Sequence, residues 1–246
     1  MRLQTRDLTG RNLNTSPQLP LALRLRAESR LDAYVGSPDV LAWLAAMARG
    51  EGGVAVLTGP KGSGKTHLAM AVVQEAESLG RGAIYLPVAQ LKGRLAAALA
   101  DMDGLDLVVL DDLDAVLGDR EDEVALFHFH NRARAHEVAV LYTLSQGVAA
   151  LPPGLPDLRS RLAQCTQLQL PRPDDALRAA VLQRKAQLRG LALDDAVVAY
   201  LLRRVERDMA DLTALLDRID RASLAEQRRV TVPFLRALLD TEPPAT

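Results

Sequence analysis

Cysteine is nearly absent from this chain of 246 residues: Cys165 stands alone, so no internal disulfide can form. The reading is a free thiol in a reducing compartment, with no catalytic role. Excess charge of either sign is missing too. Thirty Lys+Arg against 31 Asp+Glu leave a net charge of −1, which excludes a global pull toward nucleic acid or a membrane surface while permitting a local basic patch. No apolar run is long enough to cross a bilayer, and the leader MRLQTRDLTGRNLNTSPQ has no hydrophobic signal core. These absences point to a cytoplasmic protein. What is present is a 48% hydrophobic content, enough for a well-buried core in one large or two small domains.

The leader is polar and shows no sustained period, which predicts disorder over residues 1–17. Behind it, SPQLPLALRLR carries leucine at every second position (Leu19, Leu21, Leu23, Leu25). Taken alone, that alternation reads as an edge strand. SPDVLAWLAAMARG then opens a helix, with Ser37 expected as N-cap, Pro38 at the first helical position and Gly50 as the stop. Trp43 on it is read as core. Short apolar runs follow: VAVLT (residues 54–58), AIYLPV (83–88), LDLVVL (105–110) and VAVLYTL (138–144). Amphipathic stretches such as THLAMAVVQEAESLG and DEVALFHFHNRARAHE separate them. This alternation predicts an α/β domain whose parallel sheet is covered on both faces.

After TQLQL (166–170) strand signals stop, and four helix-patterned stretches follow, with Asp or Thr near their starts and Gly190 ending the first. A separate all-helical part is therefore expected from about Pro171, hinged at the two prolines of LPRPDD.

The strongest chemical signal is LTGPKGSGKTHLAM. It fits G-x-x-x-x-G-K-[ST] through Gly59, Gly64, Lys65 and Thr66, with a β-type run before it and a helical run after it. Gly62 and Gly64 allow consecutive N–H groups to turn inward around phosphates, and the helix start adds its positive end. Lys65 would reach the β and γ oxygens, and the Thr66 hydroxyl would complete a magnesium shell. A metal-holding carboxylate is needed at the end of a neighbouring strand. LDLVVLDDLD supplies Asp111 for Mg²⁺ and Asp112 to orient the attacking water, although aspartate is shorter there than glutamate. His128 and His130, two apart on a helix, do not face each other and so do not suggest a metal site. Phe127 and Asn131, four apart, are read as packing or bonding locally.

These residues carry a resemblance. LDAYVGSPDVLAWLAAMA, GPKGSGKTHL, LDLVVLDDLDAV, FHFHNRARAHEVAVLYTLS and GLPDLRSRLAQ resemble, in order, the nucleotide-binding blocks of the AAA+ replication initiator DnaA, and the helical tail resembles its lid. The likeness spans about residues 31–239. Beyond the lid, six residues offer no room for the DNA-reading helix-turn-helix domain of DnaA, and a short leader stands where DnaA has a large N-terminal domain. That arrangement is similar to the Hda family of DnaA-related regulators.

The resemblance implies a division of the chain into a leader (1–17), a clamp-binding peptide (18–23), an AAA+ α/β domain (24–170), a helical lid (171–240) and a tail (241–246). QLPLAL resembles the Q-L-x-L-x-[LF] peptide that docks on the bacterial sliding clamp: in an extended chain Leu19, Leu21 and Leu23 point one way into an apolar cleft while Gln18 bonds at its edge. Leu25 falls outside that hexapeptide and is expected to begin the fold. The nucleotide, ADP or ATP with Mg²⁺ and with ADP favoured, would contact Val35, Gly59, Pro60, Lys61, Gly62, Ser63, Gly64, Lys65, Thr66 and His67, with Tyr34 and Gly36 near the adenine. Arg161, with Arg159 nearby, matches the arginine that completes a neighbouring subunit's site. The polar sensor falls at Ser145, with Thr143 inside the strand. In the lid, Ala210 stands where DnaA has a nucleotide-sensing arginine, with Arg207 about one turn earlier as a possible substitute.

Together these imply weak or no intrinsic ATPase activity and an action on DnaA in trans at the clamp, with nucleoid or replication-fork association. A homo-oligomer is also open; sequence-specific DNA binding and membrane contact are not expected. Two alternatives stay open: a helicase-loader-type ATPase related to DnaC, and a DnaA paralogue that only scaffolds.

Overall fold

The computed structural model describes residues 29–100, 102, 104–152, 154–204, 209–226 and 228–240. The leader, Gln18, Leu19, Leu21, Leu23, Leu25, Arg207 and the tail 241–246 lie outside the described residues.

Five strands form one sheet in the order β2-β3-β4-β1-β5, every pair parallel. They are β1 (Val54–Thr58), β2 (Ala83–Pro87), β3 (Leu107–Asp111), β4 (Ala139–Leu144) and β5 (Thr166–Gln169). Side chains alternate along a strand, so each strand feeds two cores. Ala55, Leu57, Leu107, Val109 and Leu141 pack against α1 (Pro38–Ala48) and α2 (Lys65–Ser78). Val56, Val108, Leu110, Val140 and Tyr142 pack on the other face against α3 (Leu95–Ala98), α4 (Arg120–Ala135) and α5 (Pro156–Gln164). Burial on both faces explains the near-continuous apolar runs. Trp43 is half-buried against the first of these cores rather than fully inside it.

Two local expectations change. Ser37 does occupy the position before α1, but its backbone is left-handed (φ 46°) and its side chain caps nothing. Gly36 is left-handed as well (φ 103°), and a Cβ there would stand 3.3 Å from Leu177 Cδ1, so the turn is shaped by a close approach to the lid. The helix beginning at DEVALF starts two residues earlier, because the Asp119 carboxylate accepts from the N–H groups of Glu121 and Asp122.

The C-terminal helical lid comprises α6 (Asp175–Leu188), α7 (Asp195–Arg204), α8 (Met209–Glu226) and α9 (Val232–Asp240). Pro171 and Pro173 precede it. Asp174 caps α6 by accepting from Leu177 N at 2.7 Å, Asp194 accepts from Val197 N at 2.8 Å, and Gly190 (φ 73°) ends the first helix. Its own core joins Leu182, Val197, Leu201, Leu216, Ile219 and Phe234. Ala210 lies in the first turn of α8.

Candidate functional site

The phosphate loop runs from the end of β1 into α2, at the carboxyl edge of the sheet where open α/β sheets receive ligands. Gly62 (φ 80°) and Gly64 (φ 96°) are both left-handed, the conformation that turns successive N–H groups inward. Neither Gly64 nor Gly59 has room for a side chain. A Cβ on Gly64 would meet Tyr34 Cε2 at 2.6 Å, and one on Gly59 would meet Ser63 Oγ at 2.6 Å and Leu170 Cβ at 3.0 Å. The Tyr34 hydroxyl donates to Ser63 O at 3.1 Å, which fixes the ring over the loop.

Three features fit a polyphosphate. Ser63 Oγ is buried with no hydrogen-bond partner. Lys65, only 8% exposed, donates to Gly59 O (2.7 Å) and Pro60 O (3.1 Å), two neutral acceptors that leave its charge uncancelled. Burial pushes its pKa down, and the fields of Asp112, Asp111 and Asp114 oppose that shift. Thr66 is exposed at the start of α2, on the dipole's positive end. Lys61 and His67 flank the loop, and His67 Nε2 lies 3.1 Å from Arg30 O.

Asp111 is the last residue of β3 and 4% exposed. The β3–β4 register pairs Leu110 with Tyr142, which sets Asp111 beside Thr143. The Thr143 hydroxyl donates to Asp111 Oδ1 at 2.6 Å and accepts from Asp112 N at 2.9 Å; the Tyr85 hydroxyl donates to Oδ2 at 2.7 Å. A carboxylate offers about four lone-pair sites, so this one retains acceptor capacity for a cation. Asp112 is left-handed (φ 64°) and exposed. Its pKa is raised, by desolvation first and then by Asp111 and Asp114. Ser145 donates from both N–H and hydroxyl to Asp114, at 2.7 and 2.8 Å.

Between loop and lid lies a crevice of ≈ 100 Å³ that includes Tyr34, Val35, Gly62, Ser63, Gly64 and His67. Its lid wall is Pro173, Leu177, Val181 and Lys185. The last three are spaced four apart along α6 and so share one face. Small-molecule sites typically hold about 300–1,000 Å³, so this crevice accounts for only part of a nucleotide-sized site.

Arg161 lies elsewhere. It borders a second cleft with Val54 at the start of β1 and Thr166 at the start of β5. The phosphate loop is at the other end of β1, roughly 13 Å away at about 3.3 Å per residue. Arg159 turns away from that cleft and donates to Leu151 O and Ala149 O. Cys165 is a half-buried free thiol donating to Arg161 O, pushed up to about 11 by burial and therefore unreactive. His128 is exposed and His130 buried, on opposite sides of α4.

Sequence reasoning thus found the loop and both aspartates but missed Tyr85, Asp114 and the lid stripe, and it gave Thr143 no task. The stripe had a readable signal in its four-residue spacing. The hydroxyls on Asp111 required the strand register.

The family of Hda lid domains matches residues 175–239, and that of IstB-like ATP binding proteins matches residues 41–146, a stretch that contains the loop and Asp111. An uncharacterized protein of Haemophilus influenzae is 35% identical over 228 residues, covering 91% of this chain and 98% of that protein. Among solved structures, domain III of the Thermotoga maritima replication initiation protein DnaA superposes with a TM-score of 0.73 at 17% identity, covering 87% of this chain and 96% of that one. AMPPCP-bound DnaA from Aquifex aeolicus gives 0.68 at 20% identity, over 83% and 69%. The Thermotoga maritima RuvB Holliday junction branch migration motor gives 0.65 at 22%, over 88% and 72%. With its phosphate loop, parallel sheet and helical lid, this chain belongs to the DnaA-related AAA+ proteins of the Hda type.

Proposed function

We propose that the protein is a negative regulator of chromosomal replication initiation, which binds adenine nucleotide with Mg²⁺, docks on the sliding clamp through Gln18, Leu19, Leu21 and Leu23, and stimulates hydrolysis of DnaA-bound ATP in trans. The observation that carries this reading is the separation of Arg161 from its own phosphate loop by the length of β1. An arginine at the strand-start edge cannot reach the nucleotide of its own chain. It remains available to the nucleotide of a neighbour.

The chain's own residues divide the work. Lys65, Ser63 and the loop N–H groups bind phosphate, and Thr66 and Asp111 hold the metal, which when bound neutralises charge on the phosphate oxygens. Asp112, with its raised pKa, takes a proton more readily than an ordinary aspartate, but it stands exposed, and Ser145 is committed to Asp114. That arrangement supports slow turnover of the protein's own nucleotide, and the family resemblance favours ADP as the resting ligand. Clamp tethering raises the local concentration of a weakly held partner, so no single contact has to be tight.

The test mixes the protein with DNA-loaded clamp and ATP-charged DnaA and follows ADP formation. Acceleration that disappears in Arg161→Ala supports the reading. No acceleration, or acceleration that Arg161→Ala leaves intact, rejects it.

A further inference from the structure

The cleft that holds Arg161 contains a second guanidinium. We infer that Arg134 is a phosphate-binding residue acting beside Arg161 on a nucleotide polyphosphate held by a partner chain; this rests on the trans-acting role proposed above for Arg161.

The two arginines come from the last turns of two different helices, α4 and α5, and border one cleft of ≈ 650 Å³. That volume is in the range of small-molecule sites. Arg134 follows His130 by four residues, so the two share a face of α4. His130 is 1% exposed and held: its Nδ1 is 3.2 Å from the Tyr142 hydroxyl, and its ring stacks on the Tyr142 ring. Burial lowers its pKa to about 4, with Arg134 and then Arg161 adding to the shift, so both guanidinium fields converge on this wall of the cleft. The imidazole is neutral at physiological pH and competes for no anion.

Glycines complete the lining of this cleft. Gly50, Gly52 and Gly53 present no side chain, and at Gly53 even an added Cβ would meet nothing within 4 Å. Glu137 is the acidic residue of the lining and is exposed. Arg134 is exposed and Arg161 half-buried, and neither has an ion-pair partner among the described residues. Two planar forks approaching from separate helices suit a group whose charge spreads over several oxygens, which is how the transferred phosphoryl carries it. The competing explanation is that Arg134 only complements the carboxyl end of α4, since a cation there is favourable in any helix. By contrast, the neighbouring Arg132 is already spent on Leu99 O at 2.7 Å.

The two explanations separate in the full chain with DNA-loaded clamp and ATP-charged DnaA. Arg134→Ala should lower the saturating rate of ADP formation about ten- to a hundredfold, the value of one charged hydrogen-bonding partner. The half-saturating concentration and the melting temperature should stay close to the parent's, and Arg134→Lys should regain part of the rate. If Arg134→Ala keeps the full saturating rate while Arg161→Ala loses it, the inference falls and the trans-acting reading stands. A rate loss matched by a lower melting temperature and not restored by lysine assigns Arg134 to the fold and also overturns it. If Arg161→Ala leaves the rate intact, the reading fails and takes the inference with it.

Discussion

Asp111 shows how much of this site is set one bond at a time. Both of its oxygens accept protons from hydroxyls, Thr143 on one and Tyr85 on the other, and Thr143 also receives the Asp112 N–H. Replacing Thr143 by Val preserves shape but leaves a buried carboxylate oxygen and an N–H short of a partner. Loss of such bonds costs about 1–3 kcal/mol, and a chain of this size should lose roughly 2–4 °C of Tm per kcal/mol. Scanning calorimetry of Thr143→Val checks this; an unchanged Tm would mean that the hydroxyl adds nothing. Gly64 gives a second residue-scale prediction. Its φ of 96° and the 2.6 Å approach of Tyr34 make any side chain there strained. Gly64→Ala should therefore weaken ADP and ATP binding at least tenfold while the lid core survives, as read by fluorescent-nucleotide titration.

At the scale of elements, α4 carries structure at both ends. At its start Glu123 accepts from Gly118 N (2.9 Å) and Leu155 N (2.8 Å), linking α4 to the segment that launches α5 and so to the position of Arg161. Near its end His130 is buried in the uncharged form. Its folded pKa of about 4 lies below the ordinary value of about 6.5, so between those values the unfolded chain binds a proton that the folded chain refuses. Stability is unaffected above pH 6.5 and falls as pH drops through that window, by up to about 3 kcal/mol for this one group. Denaturant titrations at pH 7 and pH 4.5 should show the loss, and His130→Gln should reduce it; an equal loss in both proteins would place the acid sensitivity elsewhere.

Elements were also where the sequence was most readable. VAVLT is β1 residue for residue, because a strand buried on both faces is apolar along nearly all its length, with the Thr58 hydroxyl satisfied by Leu168 O. Asp174 and Asp194 marked helix starts, since a carboxylate satisfies N–H groups that a helix leaves open. Long-range register was not readable. Nothing local announces that Tyr85 and Thr143 meet on Asp111, that Ser145 pairs with Asp114, or that Arg134 shares a cleft with Arg161, because each depends on which strands and helices become neighbours. The left-handed Ser37 was hidden for the same reason: its neighbour Gly36 lies close to Leu177, far along the chain.

For the whole molecule, the sheet sets two kinds of chemistry at opposite edges. Tyr34, Ser63, Gly64 and the lid face of α6 line a crevice at the strand ends, while Arg161 and Arg134 border a cleft at the strand starts. On the proposed reading, a chain built this way binds one nucleotide and offers its arginines to another. The hydrolysis of DnaA-bound ATP, measured with DNA-loaded clamp and with parent protein or Arg161→Ala, tests that claim most directly. The account predicts clamp-dependent acceleration by the parent protein and loss of about 10³-fold or more of it in the variant, the scale of an arginine supplied in trans; equal acceleration by both proteins would contradict it.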